Sequence, residues 1–163
     1  MKNNSIIKAL SAAVLIMSAP LAVMAQETIK IGEINHYKRM AAFAGPYKNG
    51  IELAMEEVNA AGGVLGKPLE FIFRDDQGKP GEAVKIAEEL MTREGTVMLT
   101  GTILSNVGLA ISSFAGEKGY VYLASEPLAD SLVWSAGNPY TFRLRASTFM
   151  QAAMLAEAAA KTG

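Results

Sequence analysis

The sequence contains no cysteine and only one histidine among its 163 residues. The absence of cysteine excludes disulfide scaffolds, thiolate metal centres and thiol catalysis. A hydrophobic fraction of 50% with only 6 prolines excludes disordered and collagen-like chains, which contain far fewer apolar residues or many more prolines. Because domains usually contain about 100 to 200 residues, the length predicts one globular unit with its own core.

An excess of charge of one sign is also missing. The 15 Lys and Arg residues stand against 16 Asp and Glu residues, a net charge of −1, and without Lys2 and Lys8 of the N-terminal segment the charge is −3. Binding to nucleic acid or to an anionic membrane requires clustered Lys and Arg side chains. The composition therefore predicts neither partner.

Residues 1–25 have the three zones of a secretory signal peptide. A polar, basic start leads into an apolar stretch over residues 9–23, and small residues follow up to Ala25. A membrane anchor is the alternative, but the apolar run is shorter than the roughly 20 residues of a spanning helix and contains Pro20. We therefore predict cleavage after Ala25 and export to a bacterial periplasm, where a cysteine-free chain with a sufficient core needs no disulfides.

Short β-rich runs alternate with helical patterns along the rest of the chain. The predicted strands are Thr28–Ile34, Leu69–Arg74, Val97–Thr100, Tyr120–Ala124 and Tyr140–Leu144. The predicted helices run from about Pro46 to Gly62, from Pro80 to Gly95, from Asn106 to Gly116 and from Thr148 to Lys161. This order predicts an α/β fold, a Rossmann-like parallel sheet of flavodoxin-like order sandwiched by helices.

The last predicted helix carries an apolar face that no later residue covers, since the sequence stops at Gly163. An isolated helix of this length is marginal in water. We interpret the chain as the front portion of a longer protein.

Ligands of open parallel sheets bind beyond the carboxyl ends of the strands. Three loops qualify here, at residues 35–45, 101–106 and 125–130. The second and third loops are rich in small hydroxyl and amide side chains, and their candidate ligand-binding residues are Thr102, Ser105, Asn106 and Ser125. The sequence therefore predicts a site for a small polar ligand at this edge of the sheet.

Two side chains of these loops have a specific predicted role. Ser105 opens a helix, so its hydroxyl and the neighbouring N–H groups are suited to hold a carboxylate; the alternative, not exclusive, is that Ser105 only caps the helix. Phe43 is suited to form an apolar wall for an organic ligand, and packing of the first loop on its neighbours is an equal alternative.

Enzyme motifs are absent from the sequence. No G-x-G-x-x-G follows the first strand, no G-x-S-x-G elbow occurs, and Gly66-Lys67-Pro68 lacks the Ser or Thr of a phosphate-binding loop. His36, the single histidine, lies in a long loop, where a solvated or ligand-stacking imidazole is expected. Asp75 and Asp76 follow a strand and should point apart, which favours turn formation and helix capping. We predict no catalytic residue, no cofactor and no metal site.

Four motifs carry a resemblance to a known family. The segments 59–69, 74–76, 101–105 and 140–143 resemble the front half of the leucine/isoleucine/valine-type periplasmic solute-binding proteins of ABC importers. Ser125-Glu126-Pro127-Leu128, together with Phe142-Arg143-Leu144-Arg145, is similar to members that take up aromatic carboxylates. The resemblance covers the whole chain after the signal segment.

The resemblance implies a monomeric two-lobed protein that closes on a ligand and docks to a membrane permease. Residues 26–145 would form lobe one, and residues 146–163 the hinge and the first helix of a second lobe. Ser105 would bind the ligand carboxylate and Phe43 would be a wall of the site. Glu126 and Leu128 would lie in the loop that completes this cradle.

Two residues depart from the amino-acid-binding pattern of that family. Leu128 replaces a hydroxyl residue and offers only its backbone N–H, and Glu126 brings a negative charge that is unfavourable beside a ligand carboxylate unless its side chain points away. The predicted function is capture of a small carboxylated ligand, an amino acid or an aromatic acid, without catalysis. The alternative is an extracellular sensory ligand-binding domain of the same fold.

Overall fold

The structure is a computed structural model that describes residues 27–162, so the predicted signal peptide lies outside the described residues. Within that range five strands are present: β1 (Ile29–Asn35), β2 (Leu69–Asp75), β3 (Met98–Gly101), β4 (Tyr122–Ala124) and β5 (Thr141–Arg143). The α-helices of the same range are α1 (Ala41–Ala60), α2 (Pro80–Glu89), α3 (Ser105–Lys118) and α4 (Thr148–Thr162). The alternation of strand and helix up to β4 follows the prediction.

The five strands form one sheet in the order β2-β1-β3-β4-β5, and every neighbouring pair is parallel. This is the predicted α/β fold with flavodoxin-like strand order. Strand β1 pairs along its whole length with β2 and through Ile31–Ile34 with β3. Because the strands are parallel, their carboxyl ends meet at one edge of the sheet.

One side of the sheet, the closed face, is covered by α2 and α3. Side chains along a strand point alternately to the two sides of the sheet. Those on the closed face include Ile34, Leu99 and Tyr122. These side chains are fully buried against Leu90, just after α2, and against Ile111 of α3. The closed face therefore contains the main hydrophobic core.

Helix α1 packs on the other side of the sheet, which we call the open face. An apolar cavity of ≈ 290 Å³ lies between α1 and the strands. Its lining residues are Ile31, Tyr47, Ile51, Phe71, Met98, Thr100, Leu123, Ser125 and Leu144. The predicted sandwich is thus closed on one side and only partly covered on the other.

Helix α1 begins at Ala41, five residues before the predicted start near Pro46. The prediction was wrong because Pro46 is the sixth residue of α1: the proline lies inside the helix, where it removes one backbone N–H donor, and does not mark the start of the helix. The first hydrogen bond runs from the N–H of Ala44 to the carbonyl oxygen of Met40 at 2.9 Å. Phe43, predicted in a loop, therefore lies in the first turn of α1.

The end of α2 agrees with the predicted glycine signal at Gly95, whereas α3 continues past Gly116, its predicted end, to Lys118. Helix α2 starts at Pro80 and continues into one π turn, Leu90–Glu94, which ends at Gly95 with φ 70°. Helix α3 is followed by Gly119 with φ 65°. Left-handed backbone at these two positions favours glycine, which explains why the helices stop there.

The last helix, α4, contacts the rest of the chain mainly through its first turn. The backbone N–H of Thr148 donates to the carbonyl oxygen of Leu128 at 2.9 Å, and that of Phe149 donates to Asp130 Oδ2 at 3.1 Å. Helix α4 has no buried residue, and Leu155 is 71% exposed. None of the helices in residues 27–162 is both long and apolar enough to cross a membrane.

Candidate functional site

The carboxyl ends of β1, β3 and β4 meet at the edge of the sheet that we call the rim. The backbone N–H of Thr102, after β3, donates to the carbonyl oxygen of Ile34 in β1 at 2.7 Å. The backbone N–H of Ser125, after β4, donates to the carbonyl oxygen of Gly101 at 3.3 Å. These bonds extend the sheet pairing by one residue and bring the predicted second and third loops side by side.

Asn35 is the last residue of β1 and connects the rim through its side-chain amide. Its Oδ1 accepts the backbone N–H of His36 at 2.9 Å and that of Ile103 at 3.1 Å. Its Nδ2 donates to Glu33 Oε1 at 3.2 Å and to Glu126 Oε2. All four bonding positions of the amide are therefore used, and they tie the ends of three strands together.

Glu33 lies in β1 with no exposed surface. Its Oε2 accepts a hydrogen bond from the hydroxyl of Tyr37, which lies four residues later in the chain. Burial raises the pKa of Glu33 to about 8, although the hydrogen bonds from Tyr37 and Asn35 act in the opposite direction. At pH 7 this carboxyl is mostly protonated, which allows it to remain in the interior of the rim without a cation.

Glu126 follows β4 and is only 9% exposed. Burial raises its pKa, while the hydrogen bond from Asn35 and the charge of Arg145 lower it. Its Oε2 is directed to the interior, toward Asn35, and not into open solvent. The side chain is therefore part of the network that connects the strand ends.

Ser125 and Tyr47 connect this network to α1. The hydroxyl of Tyr47 is hydrogen-bonded to Ser125 Oγ at 2.8 Å, and Ser125 Oγ donates to the carbonyl oxygen of Gly101 at 3.3 Å. Burial raises the pKa of Tyr47 to about 12, so the phenol stays neutral. Tyr47 and Ser125 both line the apolar cavity on the open face.

Ser105 is the first residue of α3, and its hydroxyl faces the loop after β4. Its Oγ accepts the backbone N–H of Leu128 at 3.3 Å and that of Ala129 at 3.2 Å. Leu104 is the N-cap residue and no side chain caps the helix, so the capping interpretation of Ser105 was wrong. With both acceptor positions occupied, the hydroxyl of Ser105 still has its hydrogen, which is suited to donate to a ligand.

The remaining candidate residues lie in different surroundings. Thr102 is fully buried with φ 64°, and its hydroxyl is hydrogen-bonded to that of Tyr122 in the core. Asn106 is exposed in the first turn of α3. Phe43 is 63% exposed on α1 and takes no part in the hydrogen-bonded network. The structure thus brings together Ser125 with the buried acids, and Ser105 with Leu128.

Asp75 and Asp76 do not point apart as predicted. Their carboxylates each accept a hydrogen bond from a backbone N–H two residues later, those of Gln77 and Gly78, which confirms the turn. The N-cap of α2 is Lys79 and no side chain caps that helix, so the capping prediction was wrong. The two carboxylates and the imidazole of His36 lie close together instead.

Sequence reasoning missed the roles of Glu33 and Asn35. The available signal was an acid and an amide inside the β-rich run Ile29–Asn35, at positions that share a face with Ile31. A charged residue within a central strand is rarely buried without a specific partner. That pattern marks polar chemistry at the end of a strand, but it does not identify the partners.

Known proteins resemble this chain in sequence and in fold. The family model described as "Periplasmic binding protein" matches residues 28–163. The chain belongs to this family. The Leu/Ile/Val-binding protein BraC3 of Rhizobium johnstonii is 30% identical over 121 residues, which cover 74% of this chain and 33% of that protein. The chain therefore spans about a third of the length of that relative.

Solved structures show the same fold. The ABC transporter substrate-binding protein of Desulfitobacterium hafniense in complex with Leu superposes with a TM-score of 0.76 at 27% identity, over 84% of this chain and 40% of that one. A solute-binding protein of an ABC transporter from R. palustris, in complex with 4-hydroxybenzoate, superposes with a TM-score of 0.73 at 23% identity, over 84% of this chain and 37% of that one. The second likeness concerns the fold alone.

Proposed function

We propose that the chain forms lobe one of a two-lobed periplasmic protein that captures a small carboxylated solute for an ABC importer. The observation that carries this proposal is the environment of the Ser105 hydroxyl. Its hydroxyl is held by two backbone N–H groups at the N-terminal end of α3, where the helix dipole favours an anion. A hydroxyl whose acceptor positions are both filled is a preorganised donor for a carboxylate oxygen.

Glu126 does not oppose binding of an anion at this position. Its Oε2 is bound by the amide of Asn35, and burial raises its pKa toward the neutral form. The repulsion expected from the sequence is therefore reduced by the orientation of the carboxyl group toward Asn35. Branched-chain amino acids and aromatic carboxylates both remain within the proposed ligand class, since the carboxylate is the group that Ser105 recognises.

The proposed mechanism needs a second lobe. Residues 26–145 would form the first lobe, and residues 146–163 the hinge and the beginning of the second. A ligand stabilises the closed state only through contacts that differ between the open and closed states. In this proposal the protein is a periplasmic monomer that delivers its ligand to an inner-membrane permease, and no step is catalytic.

The proposal is tested by Ser105→Ala in the protein encoded by the complete gene. Loss of a hydrogen bond to a charged group should weaken binding by about 1 to 3 kcal/mol, roughly 5- to 150-fold in Kd. Calorimetric titrations with leucine and with 4-hydroxybenzoate measure this change and distinguish the two ligand types. Ser113→Ala, on an exposed position of the same helix, is the matched control and should bind normally.

Two results would contradict the proposal. An unchanged dissociation constant in Ser105→Ala would remove Ser105 from the site. Micromolar binding of either ligand by the chain of 163 residues alone would contradict the two-lobed mechanism.

A further inference from the structure

Three groups with metal-ligand chemistry lie together at the ends of β1 and β2. They are the imidazole of His36 and the carboxylates of Asp75 and Asp76, and one potential ligand atom from each lies within 4.8 Å of the others. His36 Nδ1 lies 3.7 Å from Asp75 Oδ1 and 3.7 Å from Asp76 Oδ1. The side chains of this cluster contact one another and backbone N–H groups, and not the side chains of Asn35 or Glu126. The cluster is therefore separate from the network at the rim.

Two buried atoms of this cluster have no hydrogen-bond partner, His36 Nδ1 and Asp76 Oδ2. His36 is only 6% exposed and Asp76 is fully buried, so water does not readily compensate for the missing bonds. In a neutral imidazole with its hydrogen on Nε2, the lone pair of Nδ1 faces two carboxylates. This arrangement is repulsive unless Nδ1 carries a hydrogen or a cation lies between the three groups.

The distances agree with coordination better than with a direct hydrogen bond. Two ligand atoms that are each about 2.1 Å from a zinc ion lie about 3.4 Å apart at a tetrahedral angle and at most about 4.2 Å apart. The separations of 3.7 Å fall inside this interval, whereas a nitrogen-to-oxygen hydrogen bond is usually about 2.7 to 3.2 Å long.

The surrounding backbone orients the ligands. Asp75 Oδ1 accepts the N–H of Gln77 at 2.8 Å, and Asp76 Oδ1 accepts the N–H of Gly78 at 2.6 Å. Gly78 has φ 71°, and a Cβ at this position would lie 3.2 Å from His36 Nε2, so glycine makes room for the imidazole. Backbone donors to the carboxylates are the outer contacts that hold metal ligands in place.

We propose that His36, Asp75 and Asp76 form a binding site for a divalent transition-metal cation such as Zn²⁺. An imidazole nitrogen with two carboxylates favours Zn²⁺ over Mg²⁺, which prefers oxygen ligands and keeps its water. Three protein ligands leave a fourth position for water or an anion. This site differs from the sequence prediction of no metal, because the turn after β2 directs two neighbouring carboxylates to the same imidazole.

The basic side chains near the cluster do not prevent it from binding a cation. A cavity of ≈ 270 Å³ beside His36 is also lined by Lys38, Arg39, Gln77 and Lys79. The three basic residues are exposed, so water and salt screen their repulsion. The two carboxylates are in direct reach of the ion and supply two negative charges at short distance.

The single histidine makes the test direct. The whole chain, purified without a polyhistidine tag, is titrated with ZnCl₂ by calorimetry and by proton NMR of the imidazole. We expect one Zn²⁺ per chain with a Kd below about 100 μM, a shifted or exchange-broadened His36 ring signal, and reversal by EDTA. MgCl₂ should bind at least tenfold more weakly.

Variants distinguish this site from other carboxylates of the chain. His36→Gln and Asp75→Asn should each weaken Zn²⁺ binding at least tenfold, whereas Glu56→Gln, at an exposed position of α1, should bind as the unmodified chain does. Folding of each variant is checked by circular dichroism, and Asp75→Asn serves if His36→Gln does not fold. The proposal is overturned by a Kd above about 100 μM, by an unchanged His36 signal at saturating Zn²⁺, or by equal binding in either folded variant.

Discussion

The two faces of the sheet solve the problem of burial in different ways. The closed face packs Ile34, Leu99 and Tyr122 against α2 and α3 in a hydrophobic core. The open face carries apolar residues near the middle of the strands, but Glu33 and Ser125 near their carboxyl ends. The difference shows that one side of the sheet supplies the stability of the fold, while the polar groups of the other side lead to the rim.

The polar groups of the open face are compatible with burial because they bind one another. Asn35 satisfies both Glu33 and Glu126, and Tyr47 satisfies Ser125. A connected network of this kind avoids most of the cost of unpaired buried polar groups. The contrast between the faces can be tested by substitutions of the same type on each side.

The largest expected difference concerns leucine truncation. Leu99→Ala on the closed face removes a fully buried side chain and should lower the free energy of unfolding by about 2 to 5 kcal/mol. Leu123→Ala removes a half-buried side chain beside the existing cavity of the open face, and should cost about 1 kcal/mol. Urea unfolding of both variants measures the difference. Equal losses would show that the open face is packed as tightly as the closed one.

The second difference is a pH dependence that only the open face should show. Glu33 has a folded-state pKa of about 8 against an ordinary value of 4.5, so the folded chain binds more protons than the unfolded chain between these values. Its contribution to stability is therefore complete below pH 4.5 and is lost as the pH rises to about 8.

Glu33→Gln keeps the shape of the side chain but cannot ionise. The variant should be more stable than the unmodified chain by about 1 to 3 kcal/mol near pH 8, and this advantage should disappear toward pH 4.5. Urea unfolding across this pH range is the measurement. Glu56→Gln, on an exposed position, should leave the pH profile unchanged; a flat difference for Glu33→Gln would mean that Glu33 titrates normally.

The third comparison between the faces concerns two glycines. A Cβ at Gly32 would lie 2.9 Å from both Leu90 Cδ1 and Leu99 Cδ2, so Gly32→Ala should overpack the closed face and cost about 1 to 3 kcal/mol. A Cβ at Gly50 of α1 would meet nothing within 4 Å, so Gly50→Ala should stabilise the chain by about 0.5 to 1 kcal/mol. Thermal unfolding gives the sign of each effect, and a loss at Gly50 would reveal a contact on the outside of α1.

Much of the fold follows from local signals. Alternating strand residues, Pro80 and Gly95 locate β2 and α2 to within a few residues, and the end predicted for α3 at Gly116 lies close to the observed end at Lys118. The start of α1 was misplaced because the penalty of Pro46 depends on its position in the helix, which a sequence pattern does not show. The parallel arrangement of the strands followed from the alternation of strands and helices, since parallel neighbours need crossover helices.

The candidate site was less predictable. Loop position identified Ser105 and Ser125, because ligand sites of parallel sheets lie beyond the strand ends. The partners of these hydroxyls were not identified, since the N–H groups of Leu128 and Ala129 and the phenol of Tyr47 become neighbours only in the folded chain. For the same reason the close approach of His36 to Asp75 was not foreseen.

The sequence by itself determined the alternation of strands and helices, the parallel sheet and the edge at which polar loops collect, because these depend on side-chain periodicity and on short turns. Only the tertiary structure decided which polar groups are paired. Asn35 reaches Ile103 and Glu126 across the sheet because neighbouring parallel strands end together, and burial there changes the charge state of Glu33. Protonation and pairing depend on surroundings that residues distant along the chain create together.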